Sequence, residues 1–198
     1  MSIDLLLALM AFAFVTSVTP GPNNLMLLAS GVNFGFRRTV PHMLGINVGF
    51  PVMIALVGLG LGRIFEIYPM IYTVLRVCGG AYMLWLAYRI AMSGPAGNGT
   101  SSATPMNFMQ AALFQWVNPK AWITAVTAIA AYTSPVVFGW TVLSVALAFA
   151  IVGGPSSVTW TLFGSGLRRF LDDPRYHRIF NVTMALLLVA SLAPLLYH

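Results

Sequence analysis

Apolar residues run along most of this chain without alternation, and polar residues interrupt them at only a few places. Runs of about 20 such residues read as membrane-crossing helices. They divide the 198 residues into six segments: Ile3 to Gly35, Thr39 to Gly62, Ile67 to Met92, Phe108 to Tyr132, Val136 to Phe163 and Ile179 to Tyr197. A closed β-barrel is the other spanning solution, but its strands need a polar residue at every second position, which these runs lack. The pattern predicts an all-α integral membrane protein with six transmembrane helices.

Two segments break near their middles. Segment one contains Thr19-Pro20-Gly21-Pro22-Asn23-Asn24 and segment four contains Asn118-Pro119. Proline removes a backbone donor, so irregular backbone forms at membrane depth, where only protein or a water-filled cavity can satisfy it. The two breaks share an offset, since 117 − 18 and 119 − 20 both equal 99 for the pairs Val18/Val117 and Pro20/Pro119. Ile46 to Pro51 in segment two has a looser echo in Ile151 to Pro155 of segment five. The chain therefore reads as two three-helix repeats, 1–92 and 108–198, joined by a Gly/Ser/Thr/Pro-rich cytoplasmic linker, 93–107. An odd number of spans per repeat makes the second inverted relative to the first, an arrangement that points to a secondary transporter with its site near the midplane.

Composition excludes a soluble globule: 59% of residues are hydrophobic, 7% are charged, and mean hydropathy is +0.85. The net charge of +6 belongs to topology, because no basic stripe with interleaved aromatics for nucleic acid exists. Arg37, Arg38, Arg89, Arg168, Arg169, Arg175 and Arg178 fall on one side of the spans and Arg63 on the other. The excess marks the cytoplasmic side and puts both termini in the periplasm of a bacterial inner membrane. Asp4 and the lack of any lysine or arginine before Arg37 make the N-terminus unlike a cleaved signal peptide. Cys78, the one cysteine, is expected to pack inside a segment.

Lys120 is the only lysine, about 12 residues from either end of segment four. That is roughly 18 Å of helix from both interfaces, beyond the reach of its stem. An intramembrane cation costs about 2.5–3.5 kcal/mol on insertion scales and is by default a functional residue. Asn118 can cap a half-helix that starts at Pro119. Lys120 then stands in the first turn, where the helix dipole opposes a cation, and an anion is needed. Asp4, Glu66, Asp172 and Asp173 all lie near ends or in loops, so a substrate carboxylate is the simplest partner. The substrate ammonium can be met by carbonyls freed at Thr19 to Pro22, with Asn23, Asn24 or Asn47 adding neutral hydrogen bonds.

The candidate substrate-binding set is thus Pro20, Gly21, Pro22, Asn23, Asn24, Asn47, Asn118, Pro119 and Lys120. Two other readings of Lys120 stay open. It can carry a proton, or it can bond carbonyls of the first break and lock the repeats together. Asn47 reads equally as a gate or as interhelical glue. Gly31/Gly35, Gly45/Gly49 and Gly58/Gly62 have the small-xxx-small spacing of packed helices. His42 is expected to be a satisfied polar residue near the cytoplasmic end, Arg76 to snorkel, and Arg63 and Glu66 to pair in an outer loop. No HExxH, GxSxG, P-loop or metal-ligand cluster is present, so neither enzyme, metal site nor cofactor is expected.

Thr19 to Asn24, with Gly35-Phe36-Arg37, Gly45 to Gly49, Asn118-Pro119-Lys120 and the stretch Gly79-Gly80-Ala81-Tyr82 to Leu86, resembles the LysE/RhtB family of amino-acid exporters over essentially the whole chain. Val15 to Arg37 is most similar to its cysteine/O-acetylserine efflux members. The resemblance implies export of amino acids or close derivatives from cytoplasm to periplasm, among them small neutral ones such as cysteine, O-acetylserine, threonine or homoserine. It also implies antiport driven by the proton motive force. Expected partners are the substrate, the lipid bilayer and protons; a homodimer is compatible with the pattern. A passive channel for small anions or zwitterions is the alternative, and a packing or assembly subunit a third class.

Overall fold

The computed structural model describes residues 1–61, 67–93, 104–171 and 173–193, and among them every regular element is helical. α1 (Ile3–Val18) is capped by Ser2, whose hydroxyl accepts from the Leu5 N–H at 3.3 Å. It stops where Pro20 and Pro22 withhold the N–H groups that Thr16 and Val18 would need. α2 (Pro22–Phe34) restarts with proline in its first turn, bent 50° from α1. Gly35 then turns the chain at φ 78°, a left-handed conformation that favours glycine. α3 (Phe36–Leu56) follows and ends in a π-helical turn, Val57–Leu61.

α4 (Pro69–Ala91) is the third segment. The fourth is broken: α5 (Phe108–Phe114), one 3₁₀ turn (Gln115–Val117), then α6 (Pro119–Tyr132). A reciprocal capping box between Asn107 and Gln110 starts α5, with bonds of 2.8 and 3.1 Å. α7 (Phe138–Leu167) runs through Pro155 without a stop, and α8 (Pro174–Ala190) is capped by Asp173.

The six expected segments are thus occupied by helix, with breaks at the two expected places. By length and apolarity, 36–61 and 135–170 can each cross a membrane, and the bent α1–α2 pair makes a third. Large apolar side chains such as Leu7, Phe14, Leu59, Trp140 and Ile151 are exposed, as a lipid-facing surface requires. Linker residues 94–103, the Arg63–Glu66 pair, Asp172 and the end of segment six lie outside the described residues.

Glycines set the closest helix approaches. A Cβ on Gly31 would stand 2.5 Å from the Thr161 carbonyl oxygen, and one on Gly164 would collide with that of Leu28, so α2 and α7 touch backbone to backbone. Gly49 meets Ala112 Cα at 2.6 Å in the same sense and Gly45 meets Phe108, which brings α3 against α5. Gly58 packs on Val142. Of the glycines with packing spacing, Gly35 instead serves the turn. Cys78 is exposed rather than packed inside the chain.

The ends of α2, α4 and α7 and the starts of α3 and α8 gather at one end of the bundle. Asn181 of α8 donates to Asn33 Oδ1 at 3.0 Å and to the Ser93 carbonyl at 2.7 Å. Gly35 faces the Arg168 guanidinium, 3.3 Å from where its Cβ would stand. This end carries Arg37, Arg38, Arg89, Arg168, Arg169, Arg175 and Arg178.

Candidate functional site

The two breaks meet. A helix that ends in the membrane leaves its last carbonyls without intrahelical donors, and here donors from the second half of the chain supply them. Ser156 Oγ reaches the Ser17 carbonyl at 2.8 Å, and the Trp160 indole N–H reaches Val18 at 3.3 Å. Lys120 Nζ donates to the Thr19 carbonyl at 2.7 Å and lies 3.4 Å from that of Pro20. Asn24 closes the turn from within, its Nδ2 on Ser17 O at 2.7 Å and Thr19 O at 2.9 Å.

The second break is finished in a similar way. Asn118 Oδ1 accepts from the Lys120 backbone N–H at 3.1 Å, which caps α6, and the Trp122 indole donates to the Trp116 carbonyl at 2.7 Å. Gly21 and Lys120, which obey the same offset (120 − 21 = 99), lie in contact. A Cβ on Gly21 would stand 2.6 Å from Lys120 Cδ, so the absence of a side chain there gives the lysine its path.

Beside this junction lies a cavity of about 70 Å³. At roughly 10–15 Å³ per water, it holds about five to seven waters, a space of the order of a small amino acid. Of the nine sequence candidates, Gly21, Asn23, Asn24, Asn47, Asn118 and Lys120 line it. Pro20 is exposed, while Pro22 and Pro119 are buried as the first residues of their helices; these three shape the backbone and do not line the cavity.

The asparagines divide by what they already hold. Asn23 is paired with Gln115, the two amides exchanging bonds of 2.8 and 3.2 Å. Asn118 is committed to its cap. Asn47 Oδ1 accepts from Ser157 Oγ at 2.9 Å. Asn24 Oδ1 and Asn47 Nδ2 have no partner among the described residues. Lys120 has three N–H donors, and the two carbonyls leave one for the cavity. The cavity therefore presents one cation, unpartnered amide groups of both polarities, no acidic residue, and an apolar wall that includes Phe50 and Phe149. Those two rings meet edge to face at 5.3 Å, with Phe12 packed on Phe149.

Sequence reasoning did not identify Ser156, Ser157, Gln115 or Thr124. Gln115, fully buried and three residues before the Asn118 break, carried a usable signal as an amide in an apolar run. The serines carried little, because they follow Pro155 in a helix where serine commonly bonds its own backbone.

The model of the LysE type translocator family matches residues 14–197. Among curated relatives, cysteine/O-acetylserine efflux proteins are similar along their whole length. That of Escherichia coli (strain K12) is 32% identical over 199 aligned residues, covering 100% of both chains. That of Salmonella typhimurium (strain LT2) is 32% identical over 195 residues, with 98% of each chain covered. That of Klebsiella pneumoniae subsp. pneumoniae is 34% identical over 191 residues, covering 96% of this chain and 95% of the relative. No solved structure matches the chain. A translocator family accords with the helical, apolar architecture and with a site that has binding groups but no enzyme motif: the chain belongs to the LysE type translocator family.

Proposed function

We propose that this chain is a secondary transporter that exports a small neutral amino acid or close derivative, of the class of cysteine, O-acetylserine, threonine or homoserine, from cytoplasm to periplasm across the bacterial inner membrane. The observation that carries this reading is the cavity at the junction of the breaks, where a cation and uncommitted amides meet without any carboxylate. Lys120 binds the substrate carboxylate with its remaining N–H while it holds the first break. Asn47 Nδ2 adds a donor, and Asn24 Oδ1 accepts from the substrate ammonium. With no acidic lining residue, a substrate with a cationic side chain has no counter-charge there and is repelled by Lys120. The names of the full-length relatives fit this size and charge class.

The transport architecture is six spans in two inverted repeats, with the arginine end cytoplasmic and both termini periplasmic. The packing supports it. By the offset of 99, α1 is the repeat partner of α5 and α3 that of α7, so exchange turns the α1–α7 contact into the contact between α5 and α3, and both pairs of helices are packed. The drive is assigned to the proton motive force, since these residues contain no nucleotide-binding loop.

Counterflow in proteoliposomes tests the reading with labelled cysteine under reducing conditions. Saturable uptake stimulated by cysteine on the opposite side, and not by lysine or arginine, is expected. Flux that neither saturates nor exchanges makes the protein a passive channel. No flux from the purified chain makes it an assembly subunit.

A further inference from the structure

A second cavity, of about 60 Å³, opens at the arginine end between α2, α3, α4 and the residues before α5. His42 stands in its wall, 2% exposed, and neither ring nitrogen has a hydrogen-bond partner. This corrects the expectation of a satisfied histidine. An imidazole carries at least one N–H in any state, and leaving a buried donor unmatched is unfavourable.

Three other polar side chains of the wall, those of Ser30, Asn33 and Ser93, are committed elsewhere. Ser30 bonds Thr39 at 2.9 Å, and Asn33 is held by Asn181 in a reciprocal amide pair of 2.9 and 3.0 Å. Ser93 Oγ turns back to the Arg89 carbonyl at 2.8 Å. Arg89 supplies a second uncommitted donor group. Its guanidinium lies 5.0 Å over the Trp85 ring. Neither described acidic residue pairs with it: Asp4 lies in the first turn of α1, and Asp173 caps α8 by accepting from the Arg175 N–H. One wall thus carries a cation and a buried imidazole, both short of an acceptor.

We propose that this second cavity is a carboxylate-binding site, which takes the amino-acid substrate on the arginine side before it moves to the break. The inference rests on the export reading above. α2 links the two places: Asn24 lines the first cavity and Asn33 the second, nine residues or roughly 14 Å of helix apart. Arg89 grips the carboxylate, and His42 gains the acceptor it lacks.

Equilibrium binding of labelled L-cysteine to the purified full chain under reducing conditions counts the sites. The wild type is expected to bind two per chain and Arg89→Gln one. His42→Gln is expected to weaken one site about tenfold. Lys120→Met keeps the Arg89 site and loses the other. One cysteine per chain in the wild type, unchanged in Arg89→Gln, overturns the second site and leaves the export reading intact. Two sites per chain, one of them lost in Arg89→Gln, without counterflow overturn export and leave the carboxylate site standing. A folded Arg89→Gln protein that still binds two overturns the assignment to Arg89.

Discussion

Replacing Lys120 by methionine removes the ammonium while keeping an unbranched apolar stem of similar size. On the stability side, the variant loses one short charge-assisted bond, Nζ to the Thr19 carbonyl at 2.7 Å, worth about 1.5–3 kcal/mol. The 3.4 Å approach to Pro20 adds little at that length. Thr19 O is not left bare, because Asn24 Nδ2 holds it at 2.9 Å. Against the loss, the variant no longer carries a cation at membrane depth, which relieves about 2.5–3.5 kcal/mol. The two nearly cancel, and the folded protein is expected to stay within about 2 kcal/mol of wild type. Transport has no such compensation. Loss of a charge-assisted bond to the substrate carboxylate, again about 1.5–3 kcal/mol, raises half-saturation roughly 10- to 150-fold. Concentration dependence of labelled cysteine uptake into everted membrane vesicles reads the second effect, and thermal melting of detergent-purified protein reads the first. A half-saturation within about threefold of wild type refutes the carboxylate role, and a collapse of the melting transition refutes the cancellation and leaves Lys120 as a clamp.

Gly31→Ala puts a Cβ 2.5 Å from the Thr161 carbonyl oxygen, a backbone atom that cannot step aside, and is expected to cost about 1–3 kcal/mol. Gly154→Ala meets nothing within 4 Å and should be neutral or stabilising by about 0.5–1 kcal/mol; parallel melts compare the two. Gly21→Ala pushes only on the flexible Lys120 side chain, so it is expected to fold and to raise half-saturation severalfold. Combined with Lys120→Met it should do no further harm, and an additive double variant shows that the two positions are not coupled. Arginine stays protonated, so if Lys120 carries the coupled proton, Lys120→Arg flattens the pH dependence of transport. A wild-type pH profile in that variant removes Lys120 from proton coupling.

The breaks were legible because proline acts locally. Pro20, Pro22 and Pro119 withhold donors whatever surrounds them, and helices end there, although Pro155 withholds one too and α7 runs on through it. Glycine spacing foretold helix contacts at Gly31, Gly45, Gly49 and Gly58 but not the use of Gly35, since the same spacing serves a packing face and a turn. Lys120 was recognisable as anomalous, yet its partners are backbone carbonyls 100 and 101 residues away, and backbone atoms leave no trace in residue identity. Ser156 and Ser157 stayed hidden for a related reason. A helical serine usually answers its own chain, and only the fold reveals that these two bond Ser17 and Asn47 across it. For His42 the sequence shows a polar residue near a helix end but not that its neighbours are already engaged.

The carbonyls of Ser17, Val18, Thr19 and Pro20 each lie within reach of a donor from the second half of the chain. Any motion that draws α6 and α7 away from this break strips the oxygens of Val18 and Pro20 together and leaves those of Ser17 and Thr19 to Asn24 alone. Each one left bare in an apolar setting costs about 1–3 kcal/mol. An unloaded protein is therefore held against idle cycling unless water or a ligand enters to take over the bonds. Slippage, the uncoupled return of an empty site, is restrained by the same few donors that finish the broken helix.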